Sequence, residues 1–523
     1  MIPPLKRKRI LLGVTGSVAA YKAAHLASWL RQAGAEVTVV LTAAAERFIS
    51  PLTFRALTGG PVYTEADLWG TEGHVVHVNL AQKAEALVIA PCTAHTLAKL
   101  AHGLADNLLT VTALAATGPV VVAPAMDGGM YQHPATQENL QRLRQRGVHI
   151  LGPAHGHLAS GLQGTGRMVE PEEIGGYLRY LLTRQRPFQK ARVLVTAAGT
   201  QEPLDPVRVL TNRSTGKQGF ALAQAALDWG AEVTLITGPT HLPTPSGAQR
   251  VDVGTALEMR AAVLEHLAQS DLLLMSAAVA DYRPAQPAQQ KIKKHAQDLV
   301  LPLTRNPDIL LEVAAYRRQH GRPKVVVGFA AESQDLLTHA QEKLHRKELD
   351  LLVANDISAP DAGFAVDTNR VTLLYRDGRQ EALPQMSKAE VGQAVVVRAL
   401  HLLQGGWLAH LTTPEAWRQA QREGVYRPPS LLRAGFIHFS RPDQVPLVAQ
   451  ALYPGQRLLL LWVPAAGLGT ALRWEGVETD LFPHLYGPLP VEHVAATQPY
   501  GPDAAGHYPL PQPPASDQDT AQG

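Results

Sequence analysis

Cysteine is nearly absent: the 523-residue chain has one, Cys92, which excludes an intrachain disulfide framework and any cysteine-based zinc cluster. Charge of one sign is also lacking, with 48 Lys and Arg against 45 Asp and Glu, so there is no electrostatic case for a nucleic-acid partner. No apolar run approaches the ~20 residues that cross a bilayer, and no signal peptide is expected ahead of the first strand. The only dense basic run, Lys6 to Arg9, leads straight into a strand and reads as a solvated tail rather than a targeting signal. A cytoplasmic protein with no membrane partner is expected. What remains is ordinary globular composition, 46% hydrophobic and 18% charged, at a length that suggests about three domains.

Residues 9 to 182 alternate strand and helix. RILLGV reads as a buried strand, SVAAYKAAHLASWLRQAG as an amphipathic helix closed by Gly34, and AEVTVVLT as the next strand; ALVIAP and PVVVAPAM follow, with helical stretches between. Such alternation predicts a parallel sheet covered on both faces. The first turn, Gly13 to Ser17, brings small residues and backbone N–H groups to a helix N-terminus, which makes a phosphate site. The G-x-G-x-x-G spacing is missing and the second strand ends at Thr42 without an acidic residue for a ribose, so a mononucleotide is expected rather than NAD.

Residues 191 to 295 carry three polar clusters, each just after an apolar β run: ARVLVTAAGT, LTNRSTGKQGF, and the pair SAAVADYR and KIKK. Asn212, Asp281 and Lys291 are therefore expected at the carboxyl edge of one open α/β sheet, where such sheets bind ligands. Their chemistry suits activation of a carboxylate by a nucleoside triphosphate: Lys291 against phosphate, Asp281 for Mg2+ or a ribose, Asn212 as a neutral donor to the acyl group. A P-loop fails on spacing, because its first glycine would fall at Thr211 and Gln218 stands where Mg2+ needs Ser or Thr. NRSTGK also has the residue types of an ordinary polar helix-entry loop.

From Arg192 to about Arg398 the chain closely resembles the phosphopantothenate–cysteine ligase half of bifunctional coenzyme A biosynthesis proteins. The resemblance rests on VTAAGTQEPLDPVR, NRSTGKQG, SAAVADYR, KIKK, NPDIL, GFAAES, EKLHRK, DLLVANDIS and DTNRVTL. It implies CTP as the activating nucleotide, an acyl-cytidylate intermediate, and capture of that intermediate by the amine of cysteine. It also implies that Asn212 handles the acyl-cytidylate and Lys291 the developing phosphate charge. The CTP site would be lined by Met275, Ser276, Ala277, Asp281, Pro307, Asp308, Ile309, Leu310, Phe329, Lys343 and Lys347. Lys343 and Lys347, at i and i+4, would share a helix face suited to a triphosphate. Ala198 departs from the family, which usually has a second glycine there.

The N-terminal half resembles the flavoprotein decarboxylase domain of the same family, through GVTGSVAAYK, VVLTAAAERFI, HVVHVNL, APCTAHTLAKLAHGLADNLLT, PAMDGGMY and GRMVEP. The resemblance implies FMN, held by Gly16, Ser17, Val18 and Thr42, a catalytic histidine at His77, and a trimer-based oligomer. With a dimeric ligase half, a dodecamer is one such assembly. Two positions depart from the family. Asp127 replaces an asparagine that hydrogen-bonds the substrate carboxylate, and an ionised Asp would repel it. Ser160 replaces the cysteine that donates a proton, and a hydroxyl is a far weaker acid than a thiol. Cys92, where the family usually has alanine, is either a substitute proton donor or a small core hydrophobe.

Residues 183 to 191 read as a linker, and Gly405-Gly406 ends the usual family chain. Residues 405–497 resemble a small bacterial domain of uncharacterised function, distantly likened to ADP-ribosyltransferases, with His410, His438 and His484 in its signature stretches. Their sequence separation offers no metal-ligand spacing; an NAD-related or regulatory site and an inert docking module both remain open. The tail 498–523, rich in Pro, Ala, Gln and Asp, is expected to be disordered.

The expected architecture is thus α/β: a flavodoxin-like domain over 1–190, a Rossmann-like ligase over 191–404, and a small α+β domain. The expected function is CTP-dependent ligation of 4'-phosphopantothenate with cysteine, followed by FMN-dependent decarboxylation. The alternative is a ligase whose N-terminal half is a flavin-binding oligomerisation scaffold.

Overall fold

The computed structural model describes residues 5–69, 75–183, 191–293, 299–332, 336–356, 367–477 and 480–514. Most of the expected linker, Lys294 of KIKK and residues 515–523 lie outside them. The chain divides into two compact units, Met1–Gln185 and Arg186–Gly523.

The first unit is built on a six-stranded parallel sheet in the order Val62–Tyr63, Glu36–Leu41, Arg9–Val14, Ala86–Cys92, Val120–Pro124, His149–Ile150. Its central strands are apolar along nearly their whole length, and Ala86–Cys92 is buried at every residue, as a parallel sheet covered on both faces requires. Helix Ala20–Gln32 buries Ala23, Leu26, Ala27 and Leu30, a single stripe at helical spacing. Strand order reverses between Arg9–Val14 and Ala86–Cys92, so a crevice opens at their carboxyl ends. Thr15 ties its two walls: Oγ1 donates to the Pro91 carbonyl at 2.7 Å and accepts from the Thr93 amide at 3.1 Å. An antiparallel hairpin, Ala154–His157 with Gln163–Arg167, is fastened near the strand ends by the Met126 amide donating to the Gly166 carbonyl at 2.9 Å.

The second unit holds an eight-stranded sheet in the order Gln249–Asp252, Glu232–Thr237, Arg192–Ala197, Leu272–Met275, Val325–Glu332, Leu351–Asp356, Val371–Tyr375, Gln380–Ala382. The first six strands are parallel and the last two pair antiparallel. Helices Ala256–Leu267 and Ile309–His320 pack Met259, Val263, Ile309 and Val313 into one core with Leu194 and Leu273. Helices Lys217–Asp228 and Lys388–Leu403 pack on each other. The order reverses between Arg192–Ala197 and Leu272–Met275, which opens the second crevice beside Ala198-Gly199 and Ser276-Ala277.

Residues after Gly406 form two antiparallel three-stranded sheets: Trp407–Thr412 with Leu458–Pro464 and Ala496–Tyr500, and Ile437–His438 with Asp480–Leu485 and Leu472–Val477. This region docks on helix Lys388–Leu403 and on Trp229, the residue that follows helix Lys217–Asp228. Arg441, fully buried and paired with Asp443 at 3.0 Å, lies over the Trp229 ring at 5.0 Å, and His401 meets Trp474 edge-on at 5.2 Å. The tail departs from expectation. Ala496–Tyr500 is a paired strand, and the chain then folds back so that the Tyr508 hydroxyl reaches the Tyr453 and Gln456 carbonyls at 2.5 and 2.6 Å. Two buried tyrosines, Tyr500 and Tyr508, supply the apolar area that the composition of the tail disguised.

Candidate active sites

In the first unit the turn after Arg9–Val14 is shaped by exclusion. A Cβ on Gly16 would come within 2.5 Å of the Ala44 Cβ, so only glycine lets the two strand ends approach. Helix Ala20–Gln32 has no side-chain cap; the Ala20 and Lys22 amides donate to the Ser17 and Ala19 carbonyls at 2.9 and 3.0 Å, and the positive end of the helix dipole faces the turn. Ser17 Oγ accepts from the Ala19 amide at 3.3 Å, and Thr42, at the end of the neighbouring strand, caps the next helix through the Ala45 amide at 3.2 Å. Val18 is exposed beside this turn. The cradle therefore fits the phosphate of a mononucleotide. His77 is half-buried on helix Val76–Lys83, which packs on helix Leu108–Leu114.

The two departures from the family pattern touch each other. Asp127 caps helix Gly128–Gln132, its Oδ1 accepting from the Gly129 amide at 3.0 Å, while its Oδ2 accepts from Ser160 Oγ at 2.7 Å. The Ser160 hydroxyl, and then the Gly129 amide, hold the Asp127 carboxyl below its ordinary range. Asp127 is thus held as an anion, and the Ser160 proton is already engaged. Cys92 is fully buried at the end of its strand, among Leu97, Leu108 and Leu109. Burial pushes its thiol far above the ordinary value, so its surroundings are those of a core hydrophobe rather than of a substitute acid.

In the second unit, Met275, Ser276, Ala277, Asp281, Pro307, Asp308, Ile309, Leu310, Phe329, Lys343 and Lys347 line one cleft of about 820 Å³. The glycine-rich loop enters it from Ser214 to Gln218, and Gly219 allows the close packing behind it, where a Cβ would lie 2.5 Å from the Ala197 Cβ. Ser276 Oγ donates to the Thr196 carbonyl at 2.7 Å. Lys343 Nζ donates to the Phe329 carbonyl at 2.7 Å, and Lys347, just past the end of helix Leu336–Arg346, pairs with Asp308 at 2.9 Å.

Two expected residues do not line this cleft. Asn212 braces its back wall, donating through Nδ2 to the Ala278 carbonyl and accepting the Ser214 amide at 3.0 Å. Lys291 is exposed next to Ile292, whose amide donates to Asp205 at 3.0 Å in a network with Arg208. Sequence reasoning missed Lys217, Arg305, Arg346 and Lys388, which do line the cleft. Lys217 follows Gly216 at a helix start, and that GK pair is the sequence signal that marks it. It pairs with Asp367 at 2.6 Å. Among the described residues, no three His, Cys, Asp or Glu side chains gather as a metal site, and no helix is long and apolar enough to cross a membrane.

The three C-terminal histidines separate into two environments. His410 is buried and satisfied, its Nδ1 donating to the His438 carbonyl at 2.7 Å and its Nε2 2.9 Å from the Tyr426 hydroxyl. His438 and His484 are cross-strand neighbours with rings 5.2 Å apart, a juxtaposition that their sequence separation had hidden.

Comparison with known proteins follows the same division. Residues 188–402 match the model of the DNA/pantothenate metabolism flavoprotein C-terminal domain, residues 3–182 that of Flavoprotein, and residues 411–497 that of a protein family of unknown function. The coenzyme A biosynthesis bifunctional protein CoaBC of Vibrio cholerae is 46% identical over 394 residues, 75% of this chain and 98% of the relative. The protein of the same name from Bacillus subtilis is 44% identical over 390 residues, 74% and 95% of the two chains. That from Escherichia coli is 43% identical over 395 residues, 75% and 96%.

Proposed function

Because this chain belongs to the family of coenzyme A biosynthesis bifunctional proteins, we propose a division of work between its halves that follows from the side chains at each site. The chain is an enzyme of coenzyme A biosynthesis, with a ligase half and a flavoprotein decarboxylase half. One observation carries the assignment of the ligase cleft. Lys217, Arg305, Lys343, Arg346, Lys347 and Lys388 line it against two acids, Asp281 and Asp308, the balance a triphosphate needs. We assign CTP to this cleft and 4'-phosphopantothenate and cysteine as the substrates joined there. Mg2+ fits as well, since it is held by one or two carboxylates together with substrate phosphates; Asp281 is the carboxylate we assign, and the ion would offset phosphate charge.

In this reading the cations orient the triphosphate so that the substrate carboxylate attacks its α-phosphorus and pyrophosphate leaves; the cysteine amine then displaces CMP from the acyl-cytidylate, giving up a proton, and the charge developing on the transferred phosphorus is met by Lys291. That role requires the segment carrying Lys291 to fold over the cleft. Asn212 fixes the wall against which the acyl group rests. In the N-terminal half, FMN fits the cradle at Gly16, Ser17, Val18 and Thr42, and when bound supplies the two-electron chemistry that makes loss of the carboxylate possible. His77 acts beside it on the substrate. We assign the enzyme to the cytoplasm and infer a homo-oligomer, trimeric through flavin domains and dimeric through ligase domains.

A second reading, that the N-terminal half is a flavin-bearing scaffold, is favoured by the Asp127–Ser160 contact alone. Purified chain supplied with 4'-phosphopantothenate, cysteine and CTP, with products resolved by mass, separates the two. Phosphopantetheine is expected. Accumulation of the undecarboxylated ligation product would select the scaffold, and failure to consume CTP would overturn the cleft assignment.

A further inference from the structure

One face of the C-terminal sheet carries a cluster that neither half of the enzyme uses. Alternation along the strands puts His438, His484, Arg473 and Glu475 on the same side, and Phe436 and Tyr486, just beyond the strand ends, pack against His484 and Arg473 there. The opposite side is core, with Ile437, Phe439, Leu472 and Leu485 buried. Cross-strand pairing sets His484 directly between His438 and Arg473.

Within this face His484 is held rigidly. It is 4% exposed, Phe436 stacks on its ring at 4.0 Å, and its Nδ1 donates to Glu475 Oε2 at 2.6 Å. The Tyr486 hydroxyl donates to the same carboxylate at 2.9 Å. These hydrogen bonds, with His484 first, hold the Glu475 carboxyl below its ordinary range. The other ring nitrogen, His484 Nε2, is buried with no partner among the described residues. A buried polar atom in that state costs about 1–3 kcal/mol unless something meets it. Nothing in packing requires a histidine there, since an apolar ring would stack on Phe436 equally well.

The neighbours indicate what would meet it. Arg473 is exposed, with its guanidinium 4.5 Å from the centre of the Tyr486 ring, and His438 is exposed at the other flank. The Glu475 charge is already taken up by His484 and Tyr486. A guanidinium and two imidazoles on one face, flanking the unpartnered His484 Nε2 with the nearby carboxylate engaged, favour a phosphate over a metal cation, which Arg473 would repel. We propose that this face is a binding site for a phosphate-bearing ligand: His484 Nε2, a lone-pair acceptor because Nδ1 carries the proton given to Glu475, accepts from a protonated phosphate oxygen, and Arg473 and His438 are the outer contacts. Arg473 binds the phosphate through paired N–H groups, and the aromatic rim of Phe436 and Tyr486 takes the apolar part of a phosphate ester.

Residue-resolved histidine modification of the full chain tests this. Carbethoxylation of His438 in a phosphate-free buffer is followed by peptide mass spectrometry, with inorganic phosphate, a phosphomonoester or Zn2+ as the added probe. Because only unoccupied sites react, a bound probe at ~10 times its Kd slows modification about tenfold. Phosphate or the phosphomonoester is expected to protect His438 in the wild type. Arg473→Ala, an exposed position that leaves the fold intact, should abolish that protection while His438 still reacts at its basal rate. Stronger protection by the phosphomonoester than by phosphate would place the organic part on the aromatic rim. Absence of protection by either anion, equal protection in Arg473→Ala, or protection by Zn2+ alone would each overturn the proposal. Ligase turnover, read in parallel, should be unaltered in Arg473→Ala, which separates failure here from failure of the cleft assignment.

Discussion

Acidification should loosen the second unit through two buried histidines, and the size of the effect follows from their surroundings. His401, in the last turn of helix Lys388–Leu403, is 3% exposed, with neither ring nitrogen partnered among the described residues. Burial first, then Arg441, Arg379 and Arg398, push its pKa down from 6.5 to about 3. His410 is pushed down to about 4, chiefly by burial. Both are neutral in the folded chain but protonate near 6.5 once unfolded, so the unfolded state binds more protons as pH falls. Their stabilising share is complete above pH 6.5 and is lost progressively down toward pH 4 and 3. Between pH 7 and pH 5 each histidine costs about 2 kcal/mol, about 4 kcal/mol together. At ~2 °C per kcal/mol this is a fall of roughly 8 °C in Tm. Tryptophan fluorescence reports the transition, because Trp229, Trp417, Trp462 and Trp474 all lie in this unit. His401→Phe should keep the stacking against Trp474, remove two orphaned nitrogens worth about 1–3 kcal/mol, and halve the loss between pH 7 and 5. A transition independent of pH in the wild type, or an unchanged loss in His401→Phe, would refute the reasoning.

Three further outcomes are expected. Asp127→Asn should raise decarboxylation, measured as CO2 release, by replacing an anion with a donor to the substrate carboxylate; Ser160→Cys should help only in that background, so the double change exceeds the sum of the singles. A wild type already at full rate would remove the premise. Gly16→Val should give colourless protein, because its side chain starts where a Cβ is already 2.5 Å from Ala44; retention of bound flavin would refute the cradle. Ala198 holds a left-handed φ of 64°, so Ala198→Gly should stabilise the second unit by up to about 1 kcal/mol, read as a higher denaturant midpoint at unchanged slope.

Much of this was legible in the sequence because parallel α/β sheets obey strict rules. The apolar β run before SAAVADYR could only deliver those residues to a carboxyl edge, and Ser276 to Tyr282 do line the cleft; NPDIL reaches the same cleft from a short antiparallel hairpin outside the main sheet. Ala198 was noticed as a departure, and its left-handed backbone gives the reason glycine is preferred. Orientation was not legible: Asn212 follows a strand yet points into the wall, and Lys291 lies outside the cleft, because a run of residue types does not encode where a loop turns. Nor was antiparallel pairing over long separations, which sets His438 beside His484. Asp127 and Ser160 were each suspect, but their mutual hydrogen bond depends on how a distant hairpin folds back.

Helix Lys388–Leu403 has consequences for how the gene fusion works. Its first residue lines the ligase cleft and its last turn lies under Trp474 of the appended domain. Its 16 residues make a strut of about 24 Å. The two domains are therefore spliced in phase rather than strung together. Adding one residue within the helix would turn everything beyond it by about 100° around the axis, carrying Arg441 away from Trp229. The same residue added at Gly405-Gly406, beyond the end of the helix, leaves the rotational phase of the helix itself unchanged. The reading frame of the fusion is thus also a rotational setting, and deletions or insertions accumulate on one side of Gly405 at far greater cost than on the other.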